Sequence, residues 1–172
     1  MSVTMRDLFL ETLNREEAAT RKTLEQVPEG ENDWAPHEKS MKLGYLASLV
    51  ATMPTWIDTM INQEGVDFAP VNKEAQARPA EWKNTAELLA LFDESLAKAR
   101  AALQSTTDEH LMTNWKLQAA GHLITDEPRY INIQQGMLMH WAHHRGQLTV
   151  YLRLKQKKVP AVYGPSADER LF

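Results

Sequence analysis

The sequence predicts an all-α fold, a four-helix bundle with long connecting loops. Four segments are either apolar at helical spacing or apolar enough to be buried helices, and turn-forming residues separate them. Hydrophobic residues make up 43% of the 172-residue chain and charged residues 24%, which is typical of a globular protein of one domain. We therefore expect residues 1–172 to form a single domain around one helical core.

The first helix is predicted from a capping pattern near the N-terminus. Thr4-x-x-Asp7 resembles a capping box, and leucines follow it among charged residues until Pro28. Turn-forming residues and Pro36 then predict a loop over residues 28–42.

The second helix is predicted over residues 43–62, which are apolar on most sides and therefore suited to a buried helix. Pro54 should kink or break this helix, because proline removes a backbone donor and clashes with the preceding turn. Residues 63–83 show little periodicity, which predicts a long irregular connection. Connections of that length often cover a pocket or a neighbouring subunit.

The third helix is predicted to start at Asn84-x-x-Glu87 and to end near Ser105, because its leucines recur at helical spacing. Thr107 then starts one short capped turn. Residues 115–130 are too short and too broken for a clear assignment, and an extended piece is one alternative.

The last helix is predicted to be the longest, from Asp126 to Pro128 at its start to about Lys158. Its inward stripe consists of Met137, Trp141, His144, Leu148, Tyr151 and Leu152. His140 borders this stripe, and residues four apart lie on one face of a helix, so His140 and His144 can converge on one point. They form half of a metal site, whereas His143 lies well round the helix.

Several classes of protein are disfavoured by the composition. There is no cysteine, so any metal must be bound by nitrogen and oxygen. No apolar stretch approaches the length of a membrane span and no basic leader precedes an apolar run, so we expect a cytoplasmic protein without membrane contact. The net charge of −4 gives no electrostatic reason to expect nucleic acid. The basic residues near the end of the last helix complement its dipole.

Four motifs, in this order, resemble the DinB/YfiT family of four-helix proteins over nearly the whole chain. They are Trp34-Ala-Pro36, Leu46-Ala47 followed by Pro54-Thr-Trp56, His140-x-x-x-His144-Arg145-Gly-Gln147, and Tyr163-Gly-Pro-Ser-Ala-Asp168. The resemblance implies a bundle with a pocket between helices and, in many members, a divalent metal such as Zn, Ni, Mn or Fe held by three histidines. It also implies a homodimer.

The resemblance assigns His140 and His144 to two of the three metal positions. The third histidine of the family lies on the second helix, at the position that Leu49 occupies here, and an isobutyl group cannot bind a metal. The other candidates are distant along the chain or lie on poorly placed elements, and none is a good replacement: His37, Asp58, His110 and His122. A site with two histidines completed by water would bind a metal weakly.

Three functions from different classes follow. One is a metal-dependent enzyme, either a hydrolase or a transferase that joins a small thiol cofactor to an electrophile, with no catalytic residue assigned. Another is a non-catalytic protein that binds a small apolar or anionic molecule after loss of the metal site. A DNA-associated protein ranks last because of the net charge. Arg145 either binds an anionic ligand or pairs with a carboxylate of the first helix.

Overall fold

The computed structural model describes residues 3–72 and 80–170. The helices in these residues are α1 (Met5–Leu24), α2 (Leu43–Thr52), α3 (Thr55–Asn62), α4 (Thr85–Ser105), α5 (Asp108–Leu111), α6 (Arg129–Ile131) and α7 (His140–Leu154). A π-helical segment, Asn132–Met139, joins α6 to α7, and we call it the π segment. The strands are β1 (Gly65–Asp67), β2 (Asn114–Ala119) and β3 (His122–Pro128).

The predicted all-α fold class is wrong, because the chain contains a three-stranded mixed sheet in the order β1-β2-β3. β1 is parallel to β2, and β2 is antiparallel to β3. β2 buries Trp115 and exposes Lys116, which is the alternation of a strand with one covered face. β3 is largely exposed, so its stability depends on backbone pairing rather than on an apolar pattern in its sequence.

The hairpin between β2 and β3 is held by Asp67 at the end of β1. Its carboxylate accepts hydrogen bonds from the backbone N–H groups of Ala120 at 3.1 Å and Gly121 at 2.8 Å. Both turn residues have positive φ, 49° and 76° respectively, a conformation that glycine adopts without strain. β1 approaches β2 so closely that a Cβ on Gly65 would lie 2.5 Å from the carbonyl oxygen of Lys116.

The helical predictions for the first three helices are confirmed. Thr4 and Asp7 form a reciprocal capping box at the start of α1, and the Asn84 side chain accepts a hydrogen bond of 2.9 Å from the backbone N–H of Glu87 at the start of α4. The second predicted helix is broken beside Pro54 into α2 and α3. Thr107 caps α5.

The last helix, residues 129–154, consists of α6, the π segment and α7. It starts later than predicted, because Asp126 belongs to β3, and it ends before Lys158. Arg129 at its start is only 1% exposed. The Arg129 guanidinium donates hydrogen bonds to the end of α3 and the start of β2, at the carbonyl oxygens of Gln63 and Asn114 and the hydroxyl of Thr113.

The core lies between the long helices. α4 packs against α1, α2 and α3, and α7 packs against α1 and α2. The predicted connection over residues 63–83 contains β1, and its stretch 73–79 lies outside the described residues. Within the described part of the chain, no helix combines the length and apolar character needed to cross a membrane.

Candidate functional site

The histidine pair, His140 and His144, lies in the first part of α7. The two Nε2 atoms are 2.8 Å apart and the ring centroids are 4.4 Å apart. His144 is 8% exposed, because its ring points towards the packed side of the helix. The structure therefore brings together the two side chains that the spacing predicts to converge.

Gln147 orients the histidine pair from the next turn of α7. The distance between His144 Nδ1 and the Gln147 side-chain oxygen is 2.8 Å. Because this oxygen can only accept, His144 Nδ1 carries the proton, and neutral His144 then accepts at Nε2 from the Nε2–H of His140. The three side chains form a hydrogen-bonded row whose third member, Gln147, had no role assigned from sequence.

α3 lies beside His140, and α2 packs against α7. The Trp56 ring of α3 lies 5.7 Å from the His140 ring. The Trp141 indole N–H donates a hydrogen bond of 2.7 Å to the carbonyl oxygen of Val50, which fixes α7 against α2. Leu49 is the residue before Val50, and its half-buried side chain packs against the apolar core. At this position α2 contributes a hydrocarbon side chain.

The donor set does not fit a metal centre with three protein ligands. In the described ranges, no group of three or more histidine, cysteine, aspartate or glutamate side chains is placed to hold a metal ion. Two imidazoles bound to a tetrahedral zinc would have their nitrogens about 3.3 Å apart. The 2.8 Å separation between His140 Nε2 and His144 Nε2 is instead typical of a hydrogen bond.

The other candidate ligands make contacts of their own. His110 Nε2 is 2.8 Å from the carbonyl oxygen of Ile61. The exposed His37 accepts a hydrogen bond from the backbone N–H of Lys39, and the Asp58 carboxylate accepts one from the side-chain amide of Asn62. His122 is exposed in β3, and His143 is exposed with its ring 6.4 Å from that of His140.

Burial determines the protonation of His144. Desolvation lowers the pKa of its imidazole below the ordinary value of 6.5, and the hydrogen bond to Gln147 opposes this shift. The positive charges that His140 and His143 would carry lower the pKa of His144 further. His144 is therefore neutral at neutral pH, which agrees with its role as an acceptor in the row.

Arg145 lies beside the histidine pair in sequence but faces α1, and it is 2% exposed. Its Nη2 is 2.6 Å from the Glu16 carboxylate, and its Nη1 donates a hydrogen bond of 2.9 Å to the Thr20 hydroxyl. The sequence left two partners open for Arg145, an anionic ligand or a carboxylate of the first helix, and Glu16 is such a carboxylate. The anionic-ligand role of Arg145 remains a prediction.

Tyr163 connects this ion pair to the C-terminal strap, which we define as residues 159–170. Its hydroxyl accepts a hydrogen bond of 2.7 Å from Arg145 and donates one of 2.9 Å to Glu16. Although Tyr163 is 73% exposed as a whole, partial desolvation of its hydroxyl at this contact raises the pKa of Tyr163; the charge of Arg145 opposes this increase and Glu16 adds to it. Asp168 fixes the strap by accepting from the backbone of Val159 at 2.9 Å.

A cavity of about 530 Å³ lies between α1 and the last helix. We call it the α1 groove, and its lining is mostly apolar: Met5, Leu8, Phe9, Thr12, Glu16, Tyr130, Gln134, Leu138, Met139, Ala142 and Tyr163. Ala142 is two residues from both His140 and His144, about 200° round the helix. The groove and the histidine pair therefore lie on opposite faces of α7.

The sequence did not predict the α1 groove. Its lining comes from α1, α6, the π segment, α7 and the strap, and their meeting depends on packing. Two lining residues fall within recognised motifs: Tyr163 begins Tyr163-Gly-Pro-Ser, and Ala142 is an unspecified position between His140 and His144.

Comparisons with known proteins agree on one family. The model described as the DinB family matches residues 1–170. A DinB-like protein of Bacillus subtilis, YjoA, has a similar structure, with a TM-score of 0.67 and 18% identity, over 95% of this chain and 99% of that chain. A DinB-like protein of Bacillus cereus has a TM-score of 0.65 and 22% identity, over 90% of this chain and 95% of that chain. None of the curated proteins matches this sequence significantly.

Proposed function

Since this chain belongs to the DinB family, we propose that it is a member that binds a small molecule without a three-histidine metal centre. The observation that carries the proposal is the α1 groove, a cavity of about 530 Å³ between α1 and the last helix. The position of Leu49 agrees with it, since α2 supplies a hydrocarbon side chain where the resemblance implies a third metal ligand.

The size and lining of the groove support this function. Ligand sites of soluble proteins are typically about 300 to 1,000 Å³, mostly apolar, with a few polar groups that orient the ligand. The α1 groove has these properties, with apolar side chains along α1 and the last helix and with Glu16 and Tyr163 at one end. Leu8 and Met139 are 58% and 57% exposed, so the apolar lining is accessible from solvent.

The test is binding of N-phenyl-1-naphthylamine, an uncharged probe that fluoresces in apolar surroundings. We expect saturable binding of one probe per chain. Ala142→Trp, which fills the groove, should weaken binding at least about ten-fold, or about 1.4 kcal/mol. Leu8→Glu should also weaken probe binding, because it places a charged side chain in the apolar lining at the exposed side of the groove.

The matched control is Ala90→Trp, which adds the same side chain at an exposed position of α4. Thermal unfolding of each variant establishes that it is folded. Equal probe affinity in the wild type and in folded Ala142→Trp and Leu8→Glu variants would contradict the proposed site.

The second candidate is a metal-dependent enzyme, a hydrolase or a thiol-cofactor transferase. The observation that favours it is that the His140 and His144 rings lie on the same face of α7, with their centroids 4.4 Å apart. Metal analysis of the purified protein tests it against a His144→Ala variant. If the wild type contains no more Zn, Ni, Mn or Fe than this variant, the metalloenzyme hypothesis is excluded.

A further inference from the structure

Two polar side chains in the α1 groove have no partner within the described residues. Neither the Tyr130 hydroxyl nor the Gln134 amide makes a hydrogen bond there, although both residues line the cavity. They are four positions apart on the last helix, and both face the groove. Tyr130 is half-buried and Gln134 is exposed, so their polar groups face solvent-accessible space in the groove, where a bound molecule can reach them.

The backbone at these residues is also unusual. Gln134, Leu138 and Met139 belong to the π segment, and Tyr130 lies just before it. π-helical turns are rare and frequently occur at functional sites, because the wider turn re-aims side chains that an α-helix would direct elsewhere. In this protein the π segment supplies three of the five residues of the last helix that line the groove.

The charged groups of the groove compensate each other. Glu16 is the acidic residue of the lining, and Arg145 lies 2.6 Å from its carboxylate. The Tyr163 hydroxyl bonds to both groups. A charged ligand would lose hydration without meeting an unpaired charge of opposite sign, which disfavours its binding.

We propose that the natural ligand of the α1 groove is an uncharged, largely apolar molecule with one hydrogen-bonding group, which Tyr130 and Gln134 recognise. This inference rests on the proposed function and adds the chemical class of the ligand. The apolar side chains of α1 and the last helix hold the body of the ligand. Tyr130 and Gln134 hold its hydroxyl, amide or amine group.

A matched pair of probes tests the selectivity for uncharged molecules. N-phenyl-1-naphthylamine is uncharged and has one N–H group, and 8-anilino-1-naphthalenesulfonate has the same skeleton with an added sulfonate. We expect the uncharged probe to bind at least about ten-fold more tightly. Equal affinity, or tighter binding of the sulfonate, would overturn the inference.

The polar pair is tested with the variant Tyr130→Phe/Gln134→Leu. If these side chains hold the N–H group, the uncharged probe should bind about ten-fold more weakly, because its N–H loses its acceptors. A groove without polar recognition would bind the probe equally well or more tightly, because the variant is more apolar, and that result would overturn the inference.

The matched control for this variant is Gln135→Leu, the same substitution at an exposed neighbouring residue outside the groove lining. It should leave probe affinity unchanged. Ala142→Trp separates the two proposals. If Ala142→Trp blocks probe binding but Tyr130→Phe/Gln134→Leu does not weaken it, the groove is the binding site and the inference about polar recognition fails. If the wild type does not bind the probe, both proposals fail.

Discussion

The family resemblance makes residue 49 the position on which a metal-binding role of the histidine pair would depend. His140 and His144 are within hydrogen-bonding distance of each other, and Gln147 fixes the proton on His144. A third imidazole would turn this hydrogen-bonded row into a ligand set for a metal. Leu49 contributes apolar surface to the core instead.

Leu49→His should therefore create zinc affinity. We expect Zn²⁺ to raise the thermal unfolding temperature of this variant well above its effect on the wild type, because metal that binds only the folded state stabilises it. Leu49→Gln is the control for the loss of apolar packing. If zinc stabilises Leu49→His no more than Leu49→Gln, residue 49 does not lie at the histidine pair.

The lowered pKa of His144 predicts a pH dependence of stability. The unfolded chain takes up a proton near the ordinary pKa of 6.5, whereas folded His144 resists protonation, so acid favours unfolding. The contribution of neutral His144 to the free energy of unfolding is fully present above the pKa of the unfolded chain. It is lost as the pH falls through and below that pKa.

Urea unfolding between about pH 8 and pH 5 measures this effect. We expect the loss of unfolding free energy on acidification to be smaller in His144→Gln than in the wild type. His37→Gln, at an exposed histidine far from the pair in sequence, is the control. An equal pH dependence in the wild type and in His144→Gln would contradict the prediction.

At the scale of elements, local capping signals predicted the helices well, whereas the sequence contained little signal for the sheet. Thr4, Asn84 and Thr107 cap α1, α4 and α5, because a side-chain oxygen three residues before an N–H satisfies it locally. β1 has three residues, and β3 is mostly exposed, so neither has a periodic apolar pattern. Their pairing depends on β2 and on the position of Asp67.

Asp67→Ala should lower the free energy of unfolding by about 1 to 2 kcal/mol, because the backbone N–H groups of Ala120 and Gly121 lose their shared acceptor. Asp126→Ala removes an exposed carboxylate from β3 and should change stability by less than about 0.5 kcal/mol. Urea denaturation measures both changes. Equal stability of the two variants would indicate that Asp67 does not hold the hairpin.

At the scale of the whole molecule, one ion pair joins α1, α7 and the C-terminal strap. Arg145 of α7 is buried against Glu16 of α1, and the strap residue Tyr163 bonds to both. The same contacts form one end of the α1 groove, so groove shape and strap docking are coupled. The homodimer implied by the family resemblance remains a prediction, which sedimentation equilibrium would test.

Glu16→Ala should destabilise the protein by about 3 kcal/mol or more, because it leaves the Arg145 guanidinium buried without its counter-charge. The double variant Glu16→Ala/Arg145→Met should be more stable than Glu16→Ala alone, since it removes the unpaired charge. Urea denaturation of the two variants and the wild type measures the difference. If the double variant is less stable than Glu16→Ala, the buried charge is not the cause.

The sequence by itself determined the local features of this protein. Helix starts, the break at Pro54 and the convergence of His140 and His144 follow from contacts between residues a few positions apart, which sequence spacing encodes directly. The resemblance also implies from sequence that Leu49 stands where the family has its third histidine, and this assignment remains a prediction.

The tertiary structure decided the features that depend on residues far apart in the chain. β1 pairs with β2 across about fifty residues, and the α1 groove is assembled from α1, the last helix and the strap. The sequence did not decide which partner Arg145 has, and the packing of α7 against α1 places Glu16 beside it. Such contacts depend on how elements pack in space, and no local spacing in the sequence specifies that packing.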